Sequence, residues 1–203
     1  MKPLVLIATV GMFVATQGVA EPVTFKEARK ILPKANARVT LVTFEDRLSE
    51  KDIATLASAN LKPDDVFKGI GASLSSYGAV AISPDEGVLV EWLSGVSQHH
   101  SIEAARAAAI AYCNSKKKKA SADCVTLVEV SPRGAKDRAA FSLSEKANAA
   151  LRSDYRKLDE PRAFAISPST GDFGMERGDG TRAVAACASA ANQASDCVVV
   201  VKD

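Results

Sequence analysis

The feature that most constrains this chain is a cysteine-bearing block that occurs twice. In the first copy Gly78-Ala79-Val80-Ala81-Ile82-Ser83-Pro84 leads through Gly87 to an alanine-rich run ending at Cys113, then to Asp123-Cys124-Val125-Thr126-Leu127-Val128. In the second, Arg162-Ala163-Phe164-Ala165-Ile166-Ser167-Pro168 leads through Gly171 to a shorter alanine-rich run ending at Cys187, then to Asp196-Cys197-Val198-Val199-Val200. All four cysteines of the chain fall at these matched places. Of the three pairings open to four cysteines, the repeat favours Cys113 with Cys124 and Cys187 with Cys197. Each bridge closes a loop of about a dozen residues, worth on the order of 3 kcal/mol when unstrained. C-x-x-C pairs are absent, so the spacing is poor for a zinc knuckle.

The compartment follows from the first residues and the cysteines together. Residues 1–20 carry Lys2, an apolar run from Leu4 to Ala15 and the small-x-small ending Gly18-Val19-Ala20. That is the form of a secretory signal peptide cleaved after Ala20, with an apolar run too short to span a bilayer. An exported chain with an even cysteine count is read as disulfide-bonded, in the periplasm or outside the cell. Lys and Arg number 26 against 24 Asp and Glu. So balanced a charge gives no argument for nucleic acid or an acidic membrane surface, and no later segment is apolar and long enough to span a membrane.

Local signals fill in the rest. Phe25 to Leu32 reads as a helix stopped by Pro33, and Val39 to Phe44 as a β-branched strand. Ser49 caps a helix in which Ile53, Leu56 and Ala57 share one face, and Pro63 opens a helical turn reaching Ile70. A Gly/Ser-rich connection, residues 69–76, follows. Ala79 and Ala81 alternate with Val80 and Ile82, and Ala163 and Ala165 with Phe164 and Ile166, giving strands with one small and one bulky face. Ser83-Pro84-Asp85-Glu86-Gly87 and Ser167-Pro168-Ser169-Thr170-Gly171 share S-P-x-x-G and predict hairpins with returning strands Val88 to Trp92 and Asp172 to Glu176. Ser101 to Cys113 and Thr181 to Ala190 predict helices close-packed on the small faces, each followed by a strand, Val125 to Val130 or Val198 to Val201.

The matching extends outward. Leu48-Ser49-Glu50-Lys51 corresponds to Leu143-Ser144-Glu145-Lys146, and Val39-Thr40-Leu41-Val42 to Val125-Thr126-Leu127-Val128. The predicted fold is α/β of the α+β type: two tandem repeats of helix, strand, helix and β-hairpin plus a final helix and strand, disulfide-stapled and pseudo-twofold. Residues 21–100 form the first half and 101–203 the second, packed as one globular unit. On the quoted blocks, G-A-V-A-I-S, the alanine-rich helix ending in Cys and the D-C-V strand, the chain resembles a family of small exported bacterial proteins catalogued as a domain of unknown function. The resemblance implies an exported, disulfide-containing α/β domain and carries no catalytic residues. The Lys-rich insertion and the N-terminal half depart from its usual form.

Candidate chemistry is sparse. Lys116, Lys117, Lys118 and Lys119 lie inside the first cysteine loop and could hold an anion, although a solvated loop is the plainer reading. His99 and His100 precede a helix start and are read as an exposed loop and cap region; as a general base either would need a nucleophile, and no G-x-S-x-G accompanies them. Asp85, Glu86 and Glu103 are their neighbours in sequence. Ser83 and Ser167 read as turn residues. Asp172, Glu176 and Asp179, among Gly171, Gly174, Gly178 and Gly180, lack the spacing of a calcium loop. Trp92 is core or a ligand-facing ring. No catalytic, cofactor or metal residues are assigned, and no cofactor is implied. The function expected is non-enzymatic binding to another envelope or secreted protein, as an inhibitor or accessory protein. The alternatives are a small hydrolase or lyase using His99 or His100 with hairpin carboxylates, and an anion-binding protein acting through the lysines.

Overall fold

The computed structural model describes residues 21–34, 37–60, 62, 76–135, 141–190 and 192–203. The signal-like segment, the turn opened by Pro63 and most of the Gly/Ser-rich connection lie outside these residues. Helices are α1 Phe25–Ile31, α2 Glu50–Ser58, α3 Ile102–Lys116, α4 Glu145–Ser153 and α5 Thr181–Ala188. Strands are β1 Val39–Thr43, β2 Tyr77–Ile82, β3 Gly95–His99, β4 Val125–Pro132, β5 Arg162–Ile166, β6 Phe173–Arg177 and β7 Val198–Lys202. They form two antiparallel sheets, ordered β1-β4-β2-β3 and β6-β5-β7, so the fold is α+β.

The small and bulky strand faces do the work predicted of them. Ala79 and Ala81 bury against Ala105, Ala109 and Cys113 of α3, while Val80 and Ile82 face Leu56, Leu127, Val128 and Val130 on the opposite side. In the second sheet Ala163 and Ala165 lie under Ala183 and Cys187 of α5. Phe164 and Ile166 face the largest core, made with Leu143, Ala147, Leu151, Tyr155 and α1. Alanine on both partners lets the helix backbone approach the sheet closely, and the bulky residues fill the thicker layer. The two bridges are Cys113–Cys124 and Cys187–Cys197, each tying the last turns of a helix to the residue before the next strand.

A matched irregularity appears in both sheets. The register of β2 on β4 shifts between Val80 and Ala81, and that of β5 on β7 between Phe164 and Ala165. The extra residue is Leu127 in one and Val200 in the other, each three positions after its cysteine. A bulge turns two consecutive side chains to one face, and both Leu127 with Val128 and Val200 with Val201 enter the bulky core.

Four expectations are corrected. Val88 to Trp92 is a loop, and the strand returning along β2 is β3, further on. The Val88 N–H is taken by the Asp52 carboxylate at 3.1 Å, and Val88, Val90 and Leu93 turn into the bulky core, so the chain cannot run back beside β2 at once. In α2, Ile53 and Ala57 are exposed; the buried residues are Leu56 and Asp52, because Asp52 completes a capping box with Ser49 and also holds Val88. β1 and β4, matched in sequence, are hydrogen-bonded neighbours in one sheet, and β4 corresponds in place to β7. Finally, α3 and β4 pack on and pair with β2, so the first unit extends to residue 132, past a boundary at 100/101.

Asp203 closes the second unit. Its carboxylate accepts from Phe25 N at 3.0 Å and from Arg162 Nε at 3.2 Å, with the Tyr155 hydroxyl 3.2 Å away. Arg162 in turn lies over the Tyr155 ring, 4.9 Å from its centroid. Among the described residues no helix is long and apolar enough to cross a membrane.

Candidate functional site

The histidines, expected in an exposed loop, are buried at the junction of the two units. Gln98, the penultimate residue of β3, has a φ of +64°, which turns the chain into the left-handed region. That turn brings His99 and His100 against the second unit. His100 Nδ1 accepts the Ser144 N–H at 3.0 Å, and Nε2 donates to Asp172 O at 2.9 Å, which fixes the tautomer. The Ser142 hydroxyl donates to His100 O, and Lys146 N donates to Gln98 Oε1 at 3.2 Å. Gly171 packs so tightly that a Cβ there would sit 2.2 Å from Gln98 O. The start of α4 and the β5–β6 turn thus clasp the end of β3.

The electrostatics follow from this burial. Desolvation pushes the His100 imidazole down to about 4, against smaller opposing contributions from the Asp172 carbonyl and the Asp172 and Asp196 charges. Burial lowers His99 too, offset in part by a hydrogen bond to the backbone of Ser169. His99 Nδ1 is buried without a hydrogen-bond partner among the described residues.

The neighbouring serines and carboxylates are engaged in turns. The Ser167 hydroxyl donates to the Asp196 carboxylate and accepts from Thr170 N at 3.2 Å, and Ser169 N donates to Asp196 at 3.0 Å. Burial raises the Asp196 carboxyl, but the Ser167 and Ser169 hydrogen bonds outweigh it and hold the group below the ordinary range. In the first unit the Ser83 hydroxyl donates to Ala122 O at 2.9 Å. Asp85 accepts from Ala122 N, and Glu86 from Lys118 N and the Ser121 hydroxyl. Those hydrogen bonds, Ser121 first, lower the Glu86 carboxyl. Asp85 and Glu86 therefore fasten the first cysteine loop and do not meet the histidines.

The remaining candidates disperse. Lys117 Nζ donates to Ser121 O at 2.7 Å and lies 3.6 Å from Asp123. Lys116 sits over the Tyr112 ring at 5.8 Å, while Lys118 and Lys119 are exposed. Trp92 is half-buried beside the α3 cluster, and its carbonyl accepts from the Tyr112 hydroxyl at 3.3 Å. The Asp172 carboxylate holds Asn192, Asp179 caps Thr181, and Glu176 is exposed. Gly174 is a packing glycine, since a Cβ there would lie 2.2 Å from Cys187 N. Among the described residues no group of three or more His, Cys, Asp or Glu is placed to hold a metal ion.

What the junction builds is a shallow, widely open groove of about 530 Å³ between α3 and the Ser167–Gly171 turn. Its floor is Ala104, Ala107, Ala108 and Ala111, and its far wall Pro168 and Ser169. Ser101, Glu103 and Asp196 complete its lining. The sequence reading placed the alanines on the sheet as a group. The spacing separates them: Ala105, Ala109 and Cys113 recur every fourth residue toward the sheet, and positions 104, 107, 108 and 111 form a second helical stripe. That second stripe was the available signal for the groove. Comparison of the chain with protein-family models, with curated proteins and with solved structures finds no match.

Proposed function

We propose that the chain is an exported, non-enzymatic binding protein that acts on another envelope or secreted protein through the groove between α3 and the second unit. The observation that carries this reading is the groove, an apolar floor of alanines that no described residue covers where the two units meet. Small side chains on the floor suit a closely approaching partner backbone, and the carboxylates of Glu103 and Asp196 suit a basic residue flanking it. The signal-like residues 1–20 and the two disulfides agree with an oxidising compartment. The resemblance to small exported bacterial proteins points the same way. The shared turn, bulge and crosslink favour descent of both units from one duplicated block.

Hydrolase chemistry has less support. Both ring nitrogens of His100 are engaged by backbone groups, and the Ser167 hydroxyl is committed to Asp196. Substituting the histidines would remove a structural clasp, so their loss does not separate the readings. The lysine loop also has less support as an anion site, because Lys117 Nζ is paired with Asp123 and the Asp85 and Glu86 carboxylates bond the loop's backbone N–H groups.

The test is capture from envelope extract by oxidised protein beginning at Glu21, compared with Ala107→Arg and Ala111→Arg. Both alanines are exposed, so the fold should be kept. Near-stoichiometric recovery of one protein, reduced at least about tenfold by either arginine, is expected from a packed interface position. No capture by the native protein would remove the binding reading; capture unaffected by the arginines would remove the groove.

A further inference from the structure

The sheets have four lateral edges, and three are blunted. β7 is covered by Val23, which bonds Val200 O and Lys202 N, each at 3.0 Å. β6 carries Gly174, Glu176 and Arg177, and β3 is broken by a register shift and the left-handed Gln98. Among the described residues β1 has none of the usual devices. It reads Val-Thr-Leu-Val-Thr, keeps an unbroken register with β4, and among the described residues pairs with β4 alone. Val39 is 36 % and Val42 48 % exposed.

We infer that β1 is a self-association edge, pairing antiparallel with β1 of a second copy of this chain. Three features of the strand select a second copy. Centred on Leu41, antiparallel pairing sets Val39 opposite Thr43 and Thr40 opposite Val42, so every flanking pair is β-branched against β-branched. The same register carries Arg38 to the Glu45-Asp46 turn of the other copy. Among the described residues none of Arg38, Glu45 and Asp46 has an ion-pair partner, whereas Arg47 is stacked on Phe44 at 4.0 Å and donates to Thr126 O. A twofold axis at Leu41 repeats the Arg-to-acid contact at both ends, as an isologous interface requires. The product is one continuous sheet, β3-β2-β4-β1 joined to its symmetry copy. This inference does not depend on the groove.

Sedimentation velocity over a concentration series tests it with four proteins. Wild type should show a dimer that dissociates on dilution, and Val42→Lys, at an exposed site, should be monomeric with an unchanged circular dichroism spectrum. Arg38→Glu alone and Glu45→Arg/Asp46→Arg alone should each weaken the dimer at least about tenfold, and an equimolar mixture of the two should regain it. Wild type monomeric at every concentration would overturn the inference, as would a dimer indifferent to Val42→Lys. Failure of the mixture to recover would overturn the register. A monomeric wild type whose capture of another protein is lost in Val42→Lys would assign the edge to that protein instead.

Discussion

At the residue scale the junction rests on His100, a neutral imidazole used as a bolt. In the unfolded chain it takes up a proton near pH 6.5, and in the folded chain only near about 4. Between those values the unfolded state binds the proton that the folded state refuses. Stability is therefore fully present above about pH 6.5 and declines as the pH falls toward 4, by on the order of 3 kcal/mol from this group. His99, lowered for the same reason, acts in the same sense. Urea denaturation at a series of pH values should show this slope, and His100→Gln, which has no proton to gain, should flatten it while lowering stability at pH 7. An equal slope in the variant would show that other groups carry it. The sequence showed two adjacent histidines before a helix but not their burial, because the groups that bury them, Ser144 and Asp172, lie 44 and 72 residues away. Asp52 went unread for a like reason: its capping-box role is local, but its bond to Val88 is not.

At the element scale, strand faces, helix caps and disulfide pairing were legible because each depends on residues close in sequence. Alternation at Ala79 to Ile82 and at Ala163 to Ile166 needs only period two, and Ser49 caps its helix as its type predicts; Ser101 and Ser144, not read as caps, do the same for theirs. The second hairpin was legible for the same reason, since Gly171 returns the chain directly into β6. The first failed although it shares the S-P-x-x-G signal, because Asp52, in a distant helix, takes the first N–H of the expected strand. Gly174 shows how tight the helix-on-sheet packing is, with α5 backbone atoms where a Cβ would go. Gly174→Ala should cost about 3 kcal/mol, since backbone cannot yield as a flexible side chain does. Equilibrium unfolding measures it; a loss below about 1 kcal/mol would mean that α5 can lift from the sheet at little cost.

At the scale of the whole molecule, two disulfide-stapled units, each containing helix, strand, strand, helix and strand in that order and the first also β1, meet at the end of β3 and leave a groove that neither unit makes alone. Only one side of the groove was legible in the sequence, as the second alanine stripe of α3; its Pro168-Ser169 wall comes from the other unit, and only packing brings the two together. The binding account therefore stands on this surface, and hydrogen exchange followed by mass spectrometry on the captured complex addresses it most directly. The account predicts slowed exchange confined to the alanine stripe of α3 and the Ser167–Gly171 turn when the partner is bound. Protection elsewhere, with these two segments unchanged, would contradict it.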